Sequence, residues 1–235
     1  MATLGSMGEF PQLVRDLFVT PTKNDADAIA IRFYIRGKPW IVTINEEMMY
    51  YGSTTPRLKF AQEANDNKAM WAAIMEKAWA KMKGNYLNAE GGLVENGIHH
   101  LVGIPVVRYS TSSITSPTEA DAAYDILVAA DAANYLMGCG TAGSGNDQVQ
   151  NSCGIAQSHA YSILAAFTMT DASRVAHKCL LMRNPWGTVY YNQEWSKDDS
   201  NWTDDLVAQV PFGVDVRTQQ SSEGLFVVPI SKLIG

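Results

Sequence analysis

The chain has 235 residues, 46% of them hydrophobic and 18% charged, with a formal net charge of −6. That allows a sizeable core in one large domain or two small ones, and a negative balance without any Lys/Arg-rich run argues against a nucleic-acid partner. No apolar stretch reaches the roughly 18 residues a membrane span needs, and the opening MATLGSMGEF lacks the basic start and apolar middle of a signal peptide. Cys139, Cys153 and Cys179 form no CxxC pair and read as reduced thiols of a cytoplasmic protein. His99, His100, His159 and His177 have no spacing suited to a structural zinc site, and no metal is expected.

In chain order, EFPQLVRDLF (9–18) predicts the end of one helix and a short second one, with Pro11 in the first turn where its missing N–H costs little. AIAIRFYIRGKPWIVTINEE (28–47) alternates apolar and polar residues around Gly37-Lys38-Pro39 and predicts a β-hairpin. Within 67–84, Trp71, Ile74, Met75, Ala78, Trp79 and Met82 recur at helical spacing and Gly84 suits the stop, so this Met/Trp stripe predicts a helix packed on a core. NAEGGLVENGIHHLVGIP reads as a loop carrying His99 and His100, with a lobe boundary near residue 104.

A second helix follows in SPTEADAAYDILVAADAANYLMG, with Ser116 or Thr118 as N-cap. CGTAGSGNDQVQNSCG is small and polar and reads as a flexible loop. SHAYSILAAFTM (158–169), VAHKCLLMRN (175–184) and GLFVVPI (224–230) predict strands, and His177 is expected to face solvent. Helices lead and strands follow, which favours an α+β class over a parallel α/β one.

His159 opens the first of these strands and Asn184 closes the next. If the two pair antiparallel through a turn near Asp171-Ala172-Ser173, the carboxamide comes beside the imidazole, and Trp186 can cover the pair and exclude water. Such a bond fixes the ring's tautomer and aims its other nitrogen outward, which is how a His serves a thiolate nucleophile. By spacing alone, a lone His beside a lone Asn is more often ordinary hydrogen bonding.

The wider pattern resembles the calpain catalytic core. QSHAYSILAAFTMTDASRVAHKCLLMRNPWG is similar to that family's Gly-His-Ala-Tyr-Ser strand followed by a strand ending Arg-Asn-Pro-Trp-Gly, with Trp195 and Trp202 spaced as its later tryptophans. MWAAIMEKAWAKMKGNY, WIVTINEE and EGLFVVPISKL resemble a helix and two strands of the same core, so the likeness covers nearly the whole chain. It implies a papain-like fold. Residues 1–104 would be a largely helical remainder of the first protease-core lobe and 105–235 an antiparallel, β-rich second lobe. It also implies His159 as general base, Asn184 as its orienting residue and Trp186 as the shielding indole, acting on protein substrates.

The chain departs from that pattern in three ways. The family's nucleophile lies in Gly-Asp-Cys-Trp at the start of a central helix, and MATLGSMGEFPQLVRDLF resembles the remainder of that helix, so the nucleophile is expected just upstream of Met1 and is not in this chain. Cys139 and Cys179 are expected to be inert, and Cys153 lacks a helix N-terminus to stabilise its thiolate. Second, the family's calcium ligands fall at Ala69, Tyr190, Lys197 and Glu223-Gly224-Leu225, where most carboxylates are lost, so no calcium cofactor is expected; the Asp198, Asp199, Asp204 and Asp205 cluster reads as a solvated turn. Third, Ser158 stands where the family has glycine. Two readings follow: a cysteine endopeptidase core truncated after its nucleophile and inactive alone, or a non-catalytic module that binds protein partners.

Overall fold

The computed structural model describes residues 1–54, 56–61, 69–144 and 146–234. It contains helices and antiparallel sheets, an α+β fold, in two compact units: Met7–Val107 with Met1, and Arg108–Gly235 with Ala2–Ser6. The opening helix α1 (Ala2–Met7) thus sits almost wholly with the second unit.

The first unit begins with α2 (Pro11–Leu17), whose proline occupies the first turn as expected. β1 (Ala28–Ile35) and β2 (Lys38–Asn45) form the hairpin, but its turn is Arg36-Gly37 rather than Gly37-Lys38-Pro39. Both turn residues have positive φ, 52° and 74°, the two-residue geometry that matches strand twist. Lys38 and Pro39 already pair with Ile35 and Tyr34. A second, short pair, β3 (Tyr50–Tyr51) and β4 (Arg57–Leu58), follows.

Helix α3 (Trp71–Lys83) stops at Gly84, φ 99°. Of the predicted stripe, Met75 and Ala78 are fully buried, joined by Ala73 and Ala80, while Trp79 is half-buried. The Trp79 indole packs on Phe33 with ring centroids 6.1 Å apart, and Lys83 lies 4.9 Å over it. The beginning of the predicted span, residues 67 and 68, lies outside the described residues.

The segment expected as a loop forms a nine-residue helix, α4 (Val94–Val102). Asn96-Gly97 argues locally for a turn, but Ile98 and Leu101 recur at helical spacing and are both buried, so packing overrides propensity. Gly103 ends it in the left-handed region, φ 74°, with its N–H on the His99 carbonyl. His99 and His100 are therefore helical. Their Nδ1 atoms bond the carbonyls of Ile104 and Asn96 at 3.2 and 2.6 Å, and the His100 ring meets Trp79 edge-on.

In the second unit, α5 (Pro117–Ala132) starts at Ser116, which forms a full capping box with Glu119. The four-stranded antiparallel sheet runs β5 (Met137–Gly140), β6 (Ala160–Thr170), β7 (Ala176–Arg183) and β8 (Leu225–Pro229), each beside the next. β5 takes in Cys139 and Gly140, which the sequence suggested were loop; its Ala-free, glycine-rich run gives no period-2 signal, and pairing with β6 supplies the order.

Both faces of this sheet are covered, which explains the unbroken apolar runs. Tyr161, Ile163, Ala166, Leu180, Met182, Phe226 and Val228 face one core with Tyr124 of α5. Leu164, Ala165, Met169, Cys179, Leu181, Leu225 and Val227 face a second core. A bulge between Ile163 and Ala165 shifts the parity of β6 so that both sides stay apolar. The second core is closed by Trp195, Trp202 and the segment through α6 (Asp204–Val207) and α7 (Val216–Glu223); α8 (Ile230–Ile234) ends the unit.

His177 does not simply face solvent. Its Nε2 lies 3.1 Å from Asp171 Oδ2, and its ring meets the buried Trp195 edge-on. Asp171 Oδ1 accepts from the N–H groups of Ser173 and Val175, closing the β6–β7 turn. The Val175 N–H, then the His177 ring, hold this carboxyl below its ordinary range. The acidic run is likewise engaged: Asp199 caps the Trp195 and Asn201 N–H groups, Asp198 pairs with Lys197, and Asp204 with Arg217.

Candidate active site

Antiparallel pairing of β6 and β7 brings the residue before β6, His159, beside the residue after β7, Asn184. His159 Nε2 lies 2.9 Å from Asn184 Oδ1, and both residues are buried, at 9% and 2% exposure. The same Oδ1 accepts the backbone N–H of Trp186 at 3.1 Å. A backbone N–H can only donate, so the atom facing it is the amide oxygen, and the imidazole must then carry a proton on Nε2. In the neutral ring, Nδ1 is left as the basic nitrogen.

The surroundings lock this geometry. The Trp186 indole lies over the imidazole, ring centroids 4.2 Å apart, while Trp186 itself is 37% exposed and so forms an outer cover. Tyr161 meets the ring edge-on at 4.9 Å, and its hydroxyl accepts the Ala156 N–H at 2.9 Å. Thr141, directly after β5, holds the His159 backbone from both sides: its N–H donates to the His159 carbonyl at 2.8 Å, and its Oγ1 accepts the His159 N–H at 3.0 Å. The Asn184 N–H donates to the Gly224 carbonyl at 2.8 Å, tying the amide-bearing residue to the start of β8.

Neither Thr141 nor Tyr161 was singled out by the sequence. A third residue that it missed, Asp147, places Oδ2 3.8 Å from His159 Nδ1, the outward nitrogen. Ser158, exposed and in the left-handed region at φ 48°, donates from Oγ to the Gly143 carbonyl at 3.1 Å.

The thiols are not gathered here. Cys179 is fully buried in β7, and burial pushes both it and Cys139 up to about 12. Cys153, partly buried, packs against the core with Tyr191 and bonds its own N–H to Asn151 Oδ1. Among the described residues no group of three or more His, Cys, Asp or Glu side chains converges as a metal site would, and no helix is long and apolar enough to cross a membrane. A histidine oriented by an asparagine, desolvated and covered by an indole, can shuttle a proton at Nδ1 to and from a group placed beside it.

A model of the calpain family of cysteine proteases matches residues 1–229. The chain is 29% identical to the calpain-type cysteine protease DEK1 of Zea mays over 91% of its own length, and 25% identical to calpain-5 of Caenorhabditis elegans over 87%. Human calpain-14 is 31% identical over 56% of the chain. These matches span 9%, 34% and 18% of the respective relatives, so the chain corresponds to one part of much longer proteins. The chain belongs to the calpain family of cysteine proteases.

Proposed function

We propose that this chain carries the general base and its orienting residue of a papain-like cysteine endopeptidase, with the nucleophilic thiol supplied by polypeptide outside residues 1–235. The observation that carries the reading is the 2.9 Å bond from His159 Nε2 to Asn184 Oδ1, which leaves Nδ1 as the working nitrogen. In acyl transfer, Nδ1 takes the thiol proton, the thiolate attacks the peptide carbonyl, and the proton then passes from Nδ1 to the departing amine nitrogen as the C–N bond breaks. Trp186 keeps water from the imidazole–amide bond. The two compact units would correspond to parts of the two protease-core lobes, and the substrates would be proteins.

The calcium-dependent switch of the family is, in this reading, lost. At the positions the resemblance assigns to calcium ligands stand Ala69, Tyr190, Lys197 and Glu223-Gly224-Leu225, so that of these only Glu223 keeps a carboxylate, and the Lys197 ammonium pairs with Asp198 at 2.7 Å. Addition of calcium or of a chelator should leave activity unchanged.

The test compares casein cleavage and labelling by a thiol-reactive epoxide in this chain alone and in a longer polypeptide that includes the upstream-encoded residues. The expected result is no cleavage by residues 1–235, cleavage and single-site labelling in the longer product, and a loss of at least about 10³-fold in kcat/KM for His159→Ala. Cleavage by residues 1–235 alone would refute the placement of the thiol. A second reading, a non-catalytic module for protein partners, is favoured by Ser158: a side chain stands where the family's glycine lets backbone approach, at a strained φ of 48°. Absence of cleavage by any longer product would select it.

A further inference from the structure

We propose that Asp147 is a specificity residue on the leaving-group side of the His159 site, favouring a cationic side chain directly after the scissile bond and disfavouring an acidic one. The proposal rests on the peptidase reading above and deepens it.

Three side chains pack on the imidazole. Asn184 holds Nε2 at 2.9 Å, Trp186 covers a face at 4.2 Å between centroids, and Tyr161 meets an edge at 4.9 Å. On the Nδ1 side, the Asp147 carboxylate lies 3.8 Å away. Its side chain is 43% exposed, against 7% for His159, so it stands at the mouth of the site and not in its floor.

Asp147 is held there by the chain around it. The Val149 N–H donates to the Asn146 carbonyl and the Gln148 N–H to Asn146 Oδ1, both at 3.1 Å, which closes a turn with Asp147 at its corner. The Gln157 N–H then donates to the Val149 carbonyl at 2.8 Å, and Gln150 bridges to Ala156. This small ladder fastens the turn to the segment that runs directly into His159. The backbone bearing the carboxylate is therefore tied to the backbone that leads into His159.

The chemistry brings a substrate to the same place. For the Nδ1 proton to reach the departing nitrogen, that nitrogen must come within hydrogen-bond reach of Nδ1. The residue bearing this nitrogen then lies within several ångströms of Asp147, and its side chain is the first substrate group the carboxylate meets. In a half-exposed setting, attraction of Lys or Arg and repulsion of Glu together amount to about a threefold to tenfold difference in kcat/KM.

The experiment uses the thiol-containing longer polypeptide and internally quenched peptides that differ only in the residue after the cleaved bond, Lys, norleucine or Glu, with the cut mapped by mass spectrometry. The expected order is Lys over norleucine over Glu. Asp147→Asn should collapse the Lys/Glu ratio to near one, Asp147→Lys should invert it, and Asp147→Glu should restore the preference in part. An unchanged ratio in Asp147→Asn, or no charge preference in the parent, overturns the proposal while the peptidase reading stands. No cleavage of any peptide by the parent overturns both.

Discussion

Gly224 lies directly beneath the backbone carbonyl of Asn184: a β-carbon at 224 would sit 2.3 Å from that oxygen, in a residue whose φ is +71°. The backbone of the site's asparagine is thus seated on the glycine that directly precedes β8, three elements away in the chain. Gly224→Ala adds left-handed strain of about 1 kcal/mol and a clash against backbone that cannot swing aside, and a total destabilisation of about 2–4 kcal/mol is expected. The same change should displace Asn184 and weaken its bond to His159. Urea unfolding and the His159 Nε2–H proton resonance check the two effects; a stable variant with an unaltered resonance would contradict this arrangement.

Asn184→Ala removes the acceptor of two bonds at once, those from His159 Nε2 and the Trp186 N–H. Both donors are then left in a largely buried setting, at a cost of about 1–3 kcal/mol. The imidazole also loses the partner that fixes its tautomer. Asn184→Asp keeps an oxygen at the position and should recover most of the stability. Thermal unfolding of the two variants separates loss of bonding from loss of packing: equal destabilisation would mean that the carboxamide oxygen is not what matters.

Ser158 lies just before His159 with φ 48°, a region costly for a residue with a β-carbon, and its Oγ bond to Gly143 is exposed. Strain relief in Ser158→Gly, about 1 kcal/mol, is partly offset by the lost bond and by greater freedom of the unfolded chain. A net gain of about 0.5 kcal/mol is expected from denaturant midpoints. Destabilisation instead would show that the tie to Gly143 holds the loop in place.

How far these relationships were legible varies with their range in sequence. β6, β7 and their turn could be read because apolar runs flank Asp171, whose carboxylate caps the turn locally. Once those strands pair, His159 and Asn184 lie two register positions apart at the same end of the sheet, within reach of one another's side chains. Asp147 and Thr141 could not be found that way, since their places depend on a Gly-, Asn- and Ser-rich connection folding back on the segment before His159, and such residues carry no period. β5 was hidden for the same reason. α4 was hidden differently: Asn96-Gly97 reads as a turn, and only burial of Ile98 and Leu101 shows why the helix forms. His177 looked exposed because strand alternation says nothing of Trp195, which arrives from beyond β7.

Alkaline pH provides a test of the buried thiols with a definite sign. Burial favours the neutral form, so Cys139 and Cys179 ionise at about 12 in the folded chain, against 9.0 for a free thiol. Between these values the unfolded chain binds fewer protons than the folded one, and stability falls as pH rises. The contribution is fully present below pH 9.0 and is lost as pH climbs towards about 12, with a slope of about 1.4 kcal/mol per pH unit for each thiol. Urea midpoints at intervals between pH 8 and pH 10.5 should therefore drop, and Cys179→Ala should shallow the decline by about one thiol's share. Below pH 9 the Cys179 thiol should also resist iodoacetamide in the folded protein and react once it is unfolded. A stability profile that stays flat through this range, or rapid alkylation of Cys179 in the native state, would show that β7 does not bury its thiol as described.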